Sequence, residues 1–112
     1  MNIQKKEITA EYLLKLNFFD RKIDYLDKKY NIYINIYGVI IIKLDNIYYI
    51  NEKKYLFNKD IIDKGDEIII QEVLLNFDEH YLKIKTLKEL YDFILKTKTI
   101  PLNKLDDDFI NL

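Results

Sequence analysis

Apolar residues recur along this chain with two different periods, and the change from one to the other marks its elements. Thr9 is a good helix N-cap, and the run from Ala10 to Leu16 that follows it reads as a helix. Ile8 can staple onto Leu13, while Glu11 suits the positive end of the helix dipole. Asn17 fits a left-handed residue just past the helix end, with Phe18 folding back towards Leu13.

From Lys22 to Phe57 the period becomes two. Tyr30, Ile32, Ile34 and Ile36 alternate with Asn31, Tyr33, Asn35 and Tyr37, which is strand patterning. Gly38 then marks either a bulge or a tight turn. Val39 to Leu44 and Ile47 to Ile50 flank Asp45-Asn46, which predicts a tight hairpin. Its register sets Leu44 opposite Ile47, Lys43 opposite Tyr48 and Ile42 opposite Tyr49. Asn51 to Lys54 reads as a turn, Tyr55 to Phe57 as a short strand, and Asn58 to Asp66 as a loop around Gly65. Glu67 to Phe77 reads as a central strand, because Ile68, Ile69 and Ile70 are apolar on both faces.

Asp78-Glu79 turns the chain into an edge strand, His80 to Lys85, whose lysines resist further pairing. Thr86 and Glu89 form a capping box, and Leu87, Leu90, Tyr91, Ile94 and Leu95 follow at helical spacing until Pro101. In the tail, Leu102, Leu105, Phe109 and Leu112 line one side of a short helix, or Phe109 and Leu112 dock as an acidic-apolar peptide.

The order helix, strand meander, helix, tail predicts an α+β fold. Its antiparallel sheet has five or six strands, with an N-terminal and a C-terminal helix on one face. Residues 1–112 form a single domain, with 102–112 an acidic-apolar C-terminal tail. Leu90, Tyr91 and Ile94 are expected against Ile32, Ile34, Ile42, Ile69 or Ile70.

Composition narrows the chemistry. The chain is 49% apolar, enough for a core, and its net charge of −1 gives no electrostatic footprint for nucleic acid or an anionic membrane. Ile, Lys, Asn, Asp and Tyr dominate, a bias that reads as an AT-rich coding genome. No leader pattern and no spanning apolar run is visible, so a cytoplasmic protein is expected. Cysteine and serine are absent, which removes those nucleophiles. Gly38 and Gly65 stand too far apart for a phosphate-binding loop, and His80 is the sole histidine, too few for a zinc site.

Carboxylate, lysine or tyrosine chemistry remains, or none. His80 beside Asp78 and Glu79 reads more simply as a polar turn than as a tuned base. Asp45 with Glu52 and Lys54 has the acidic-x-lysine look of a magnesium-dependent nuclease site, yet Glu52 and Lys54 fall in an expected turn. The aspartate run Asp106-Asp107-Asp108 lacks the glycine and terminal glutamate of a calcium loop. No cofactor, metal or catalytic residue is therefore assigned.

If Ile32, Ile34 and Ile36 point inward, Tyr33 and Tyr37 point to solvent. The hairpin register then adds Tyr48 and Ile50 to that outer face. Rigid tyrosines of this kind are good protein-interface anchors. Asp106, Asp107 and Asp108, followed by Phe109, offer a second contact, since acidic surfaces can occupy the basic channel of a nucleic-acid-handling complex. That acid run before a hydrophobe also resembles the C-terminal tip of bacterial single-stranded-DNA-binding proteins, without their terminal Pro-Phe.

Ile8-Thr9-Ala10-Glu11 with Leu14, Asn17 and Phe18, then the meander and Leu87-x-x-Leu90-Tyr91, resembles small accessory proteins of bacterial phages and mobile elements. The resemblance implies a non-enzymatic protein that binds another protein in the host cytoplasm, as an inhibitor of a defence complex such as a CRISPR effector. The charge balance, rather than the resemblance, leads to the expectation of no direct nucleic-acid or membrane contact. The alternatives are a metal-dependent nuclease or hydrolase, and a structural protein that self-associates into a homo-oligomer through edge strands.

Overall fold

The computed structural model of the chain describes residues 6–51, 74 and 81–112. Helix α1 (Ala10–Lys15) starts at Thr9, whose Oγ1 accepts the Tyr12 N–H at 3.3 Å. Asn17 is left-handed, with φ 66°. The Asn17 N–H donates to the Leu14 carbonyl and the Phe18 N–H to the Leu13 carbonyl, each at 3.1 Å. Together these bonds satisfy carbonyls that a helix end would otherwise orphan. Both predicted caps of α1 are present.

The sheet is an antiparallel meander of β1 (Phe19–Tyr25), β2 (Lys28–Ile34), β3 (Ile40–Leu44), β4 (Ile47–Asn51) and β5 (Tyr81–Ile84), in that spatial order. Two-residue turns at Leu26-Asp27 and Asp45-Asn46 have positive φ at both positions, the geometry that matches the twist of paired strands. The second turn sets Ile42 opposite Tyr49, Lys43 opposite Tyr48 and Leu44 opposite Ile47, the register the alternation predicts.

Between β2 and β3 the chain makes a longer turn, built on Asn35. The Asn35 Oδ1 accepts the N–H groups of Tyr37 and Val39, both at 3.0 Å. Gly38 closes the turn at φ 83°, where a side chain would meet steric resistance, so it is a turn residue and not a bulge. This turn also takes Ile36 and Tyr37 out of the strand. Ile36 is 65% exposed instead of inward-facing, and Tyr37 lies half-buried against the core. Apart from Leu74, the strands predicted at Tyr55–Phe57 and Glu67–Phe77, and the Asp78-Glu79 turn, lie outside the described residues.

Among the described residues β5 is the last strand of the sheet, and Lys83 within it and Lys85 just after it are exposed. The N-terminal segment covers part of this end: Glu7 bridges to Thr86, and the Ile8 N–H donates to the Lys85 carbonyl at 2.9 Å. Helix α2 (Leu87–Thr97) then starts at the complete Thr86–Glu89 capping box and ends at a left-handed Lys98. Helix α3 (Leu102–Ile110) follows Pro101, so the tail is helical, with Leu105 and Phe109 on its inner side.

The fold is thus α+β with its helices on one sheet face, but that face is the opposite one from the expectation. Leu13 of α1, Leu87, Leu90 and Ile94 of α2, and Leu105 and Phe109 of α3 form one core with Tyr33, Ile41, Tyr48, Ile50 and Ile84. Ile32, Ile34, Ile40 and Ile42 lie on the other face, in a second buried cluster with Ile23, Tyr30 and Leu74. Leu90 and Ile94 are buried as predicted, and the sheet residues they meet are the tyrosine set, not the Ile32 set. The reason is that both faces of β2 and β3 are apolar. Period-two patterning separates two faces but does not rank them when each has a cover.

Candidate functional site

The helical core determines the fate of the predicted tyrosine interface. Tyr33 and Ile50 are wholly buried and Tyr48 is 8% exposed, all beneath the helices. The Tyr33 and Tyr48 rings lie 6.5 Å apart, tilted at 40°. Burial raises the Tyr33 phenol above its ordinary value of 10.0; the Asn31 side chain works against this and the Asp20 charge adds to it. Burial raises Tyr48 as well, with Tyr33 contributing. The expectation that Tyr33, Tyr48 and Ile50 present a solvent face is overturned, because an anchor must be reachable to bind. Tyr37, half-buried in its turn, belongs to the same core margin.

The acidic run takes a different form. On α3, successive residues turn by roughly 100°, so the three aspartates point in three directions. Asp106 lies on the flank facing α2, where its Oδ1 accepts the Tyr91 hydroxyl at 2.6 Å. That hydrogen bond is the main cause that raises the Tyr91 phenol above 10.0, followed by burial and the charges of Asp106 and Asp92. Asp107 is exposed on the outer side. Asp108 lies on the far flank, 3.7 Å from Lys104 one turn back. Phe109, expected at an interface, is a core anchor: it is buried and meets the Tyr91 ring edge-on, with centroids 5.0 Å apart at 84°.

α3 also exposes apolar side chains. Leu102 is 60% and Ile110 70% exposed, and with Asp106 they form one i, i+4, i+8 row along the helix. Around the corner on α2, Leu95 is 42% exposed. Leu95, Lys98, Ile100, Pro101 and Leu102 line a shallow cleft of about 270 Å³ between the helix ends. The corner therefore combines three exposed aliphatic side chains with Asp106 and Asp107. Sequence reasoning placed Leu95 and Leu102 on inner faces and passed over Ile110. The signal for Ile110 was present, since helical spacing sets it well off the line joining Leu105 and Phe109.

A second cleft, about 250 Å³, opens where β4 and β5 meet the N-terminal segment, with Ile8, Tyr48 and Ile84 in its lining and Glu7, Lys83 and Lys85 among its charged groups. Lys85 is already 3.7 Å from Glu7. Of the groups weighed for catalysis, Asp45 is exposed in a turn at the end of the sheet, while Glu52, Lys54 and His80 lie outside the described residues. Among the described residues no three His, Cys, Asp or Glu side chains group as a metal site, and no helix is long and apolar enough to cross a membrane. No protein-family model, curated protein or solved structure matches the chain.

Proposed function

We propose that this chain acts by binding another protein, without enzymatic chemistry, through the corner between α2 and α3. The supporting observation is the pairing of large exposed aliphatic side chains with carboxylates on one surface: Leu95, Leu102 and Ile110 beside Asp106 and Asp107. Apolar anchors bury area at the centre of an interface, and flanking acids steer a basic partner and reject an acidic one. The partner is thus a basic protein surface. In the host-cytoplasm setting that the sequence resemblance implies, this is a nucleic-acid-handling defence complex, and the chain inhibits it by covering that surface.

The test compares affinity capture from bacterial lysate by the native chain and by Leu102→Ser with Ile110→Ser. A protein retained by the native chain, released by added salt and lost from the double variant is the expected result. Both substituted positions are exposed, so melting should shift little, within about 0.5 kcal/mol for each. Equal capture by the two chains would remove this corner from the interface.

A further inference from the structure

We propose that β1 pairs with β1 of a second copy of this chain, antiparallel across a two-fold axis, with Lys22 of one copy opposite Asp24 of the other. Strand β1 is first in the sheet, and among the described residues nothing pairs with its outer side. The Leu26-Asp27 turn fixes which of its backbone groups face outward. Such a two-residue turn makes Tyr25 and Lys28 a hydrogen-bonded pair, and the pairs then alternate along the ladder. Phe19, Arg21, Ile23 and Tyr25 therefore direct their backbone groups to β2, and Asp20, Lys22 and Asp24 direct theirs away from it.

Those outward-directed residues are also the charged, exposed set on the helix side of the sheet. Their exposure shows that the described helices leave the β1 edge uncovered. Charges on an edge strand ordinarily prevent pairing. Here their order permits one symmetric register and rejects its neighbours. Setting Lys22 opposite itself places Asp20 opposite Asp24, so the outward-directed set Asp20, Lys22 and Asp24 meets like charge throughout. Setting Asp20 opposite Lys22 places Arg21 against its own copy. Setting Lys22 opposite Asp24 gives two opposite-charge pairs, faces Arg21 with Tyr25, and leaves Ile23 across from itself. Neither Lys22 nor Asp24 makes an ion pair among the described residues, so both charges are free for this use.

The experiment is sedimentation equilibrium over a range of protein concentrations. The native chain should show a monomer–dimer equilibrium. Lys22→Asp should weaken dimerisation roughly tenfold or more, as each substitution changes two symmetry-related pairs, and Asp24→Lys should act alike. The combined Lys22→Asp and Asp24→Lys chain should recover native dimerisation, because the pairs are swapped and not removed. Asp24→Pro, which removes an outward N–H and spares the β1–β2 ladder, should yield a monomer that melts cooperatively. A native chain that stays monomeric throughout would overturn the proposal, as would a dimer unmoved by either single substitution or a combined variant weaker than both. The Leu102→Ser and Ile110→Ser chain should dimerise normally, which separates this edge from the α2–α3 corner.

Discussion

Replacing Tyr33 tests the placement of the whole helical layer. Its ring is fully buried between the sheet and the helices, beside Tyr48, and its buried hydroxyl, with the Asn31 side chain acting on it, makes no well-formed hydrogen bond among the described residues. A buried aromatic ring removes about 150–250 Å² from water, worth about 4–6 kcal/mol at about 25 cal/mol per Å². A compact denatured state lowers that by roughly 10–40%, which agrees with the roughly 3–5 kcal/mol measured for aromatic-to-alanine changes in cores. Tyr33→Ala should therefore lower the midpoint by more than about 10 °C in a domain of this size. Tyr33→Phe keeps the ring and deletes only this hydroxyl, so it should match or exceed native stability by up to about 1 kcal/mol. Urea and thermal unfolding followed by circular dichroism measure both variants. A Tyr33→Ala chain within about 0.5 kcal/mol of native would refute the reasoning, since only a solvent-facing tyrosine is lost so lightly. A large loss in Tyr33→Phe would show that the hydroxyl has a well-formed hydrogen bond.

Asn35→Ala should destabilise by about 2 kcal/mol in the same unfolding assay, because it removes the acceptor for the Tyr37 and Val39 N–H groups in the β2–β3 turn. Leu90→Ala should cost about 2–5 kcal/mol, as Leu90 is fully buried in the core shared by α2 and the sheet. Stability should also fall in alkaline solution. The folded chain holds Tyr33, Tyr48 and Tyr91 protonated more tightly than the unfolded chain, so their contribution is intact below the ordinary value of 10.0 and is lost as pH rises through the higher folded values. Melting curves that stay level through that alkaline range would contradict it.

Local features of the chain were legible without any structure. The Thr9 cap, the left-handed Asn17, the Thr86–Glu89 capping box and the Asp45-Asn46 hairpin register all depend on hydrogen bonds between residues close in sequence, so local residue identity decides them. β1 was harder to read. Phe19, Arg21, Ile23 and Tyr25 do alternate with Asp20, Lys22 and Asp24, but the turn that follows is Leu26-Asp27, without the glycine or asparagine that usually marks positive φ.

Tertiary structure decided which side of each element faces what. Alternation along β2 separates Ile32 and Ile34 from Tyr33, yet both sets are apolar enough to be buried, and only the docking of α1, α2 and α3 placed the tyrosines beneath the helices. The aspartate run behaved in the same way. Its charges are adjacent in sequence, but helix geometry spreads them, and contact with Tyr91 on α2 engages Asp106 while leaving Asp107 exposed. Sequence by itself determines the caps, turns and periods, since those are short-range in the chain. Partnership between faces is a long-range property, set by which apolar surfaces can be covered together, and it exists only once the layers have packed.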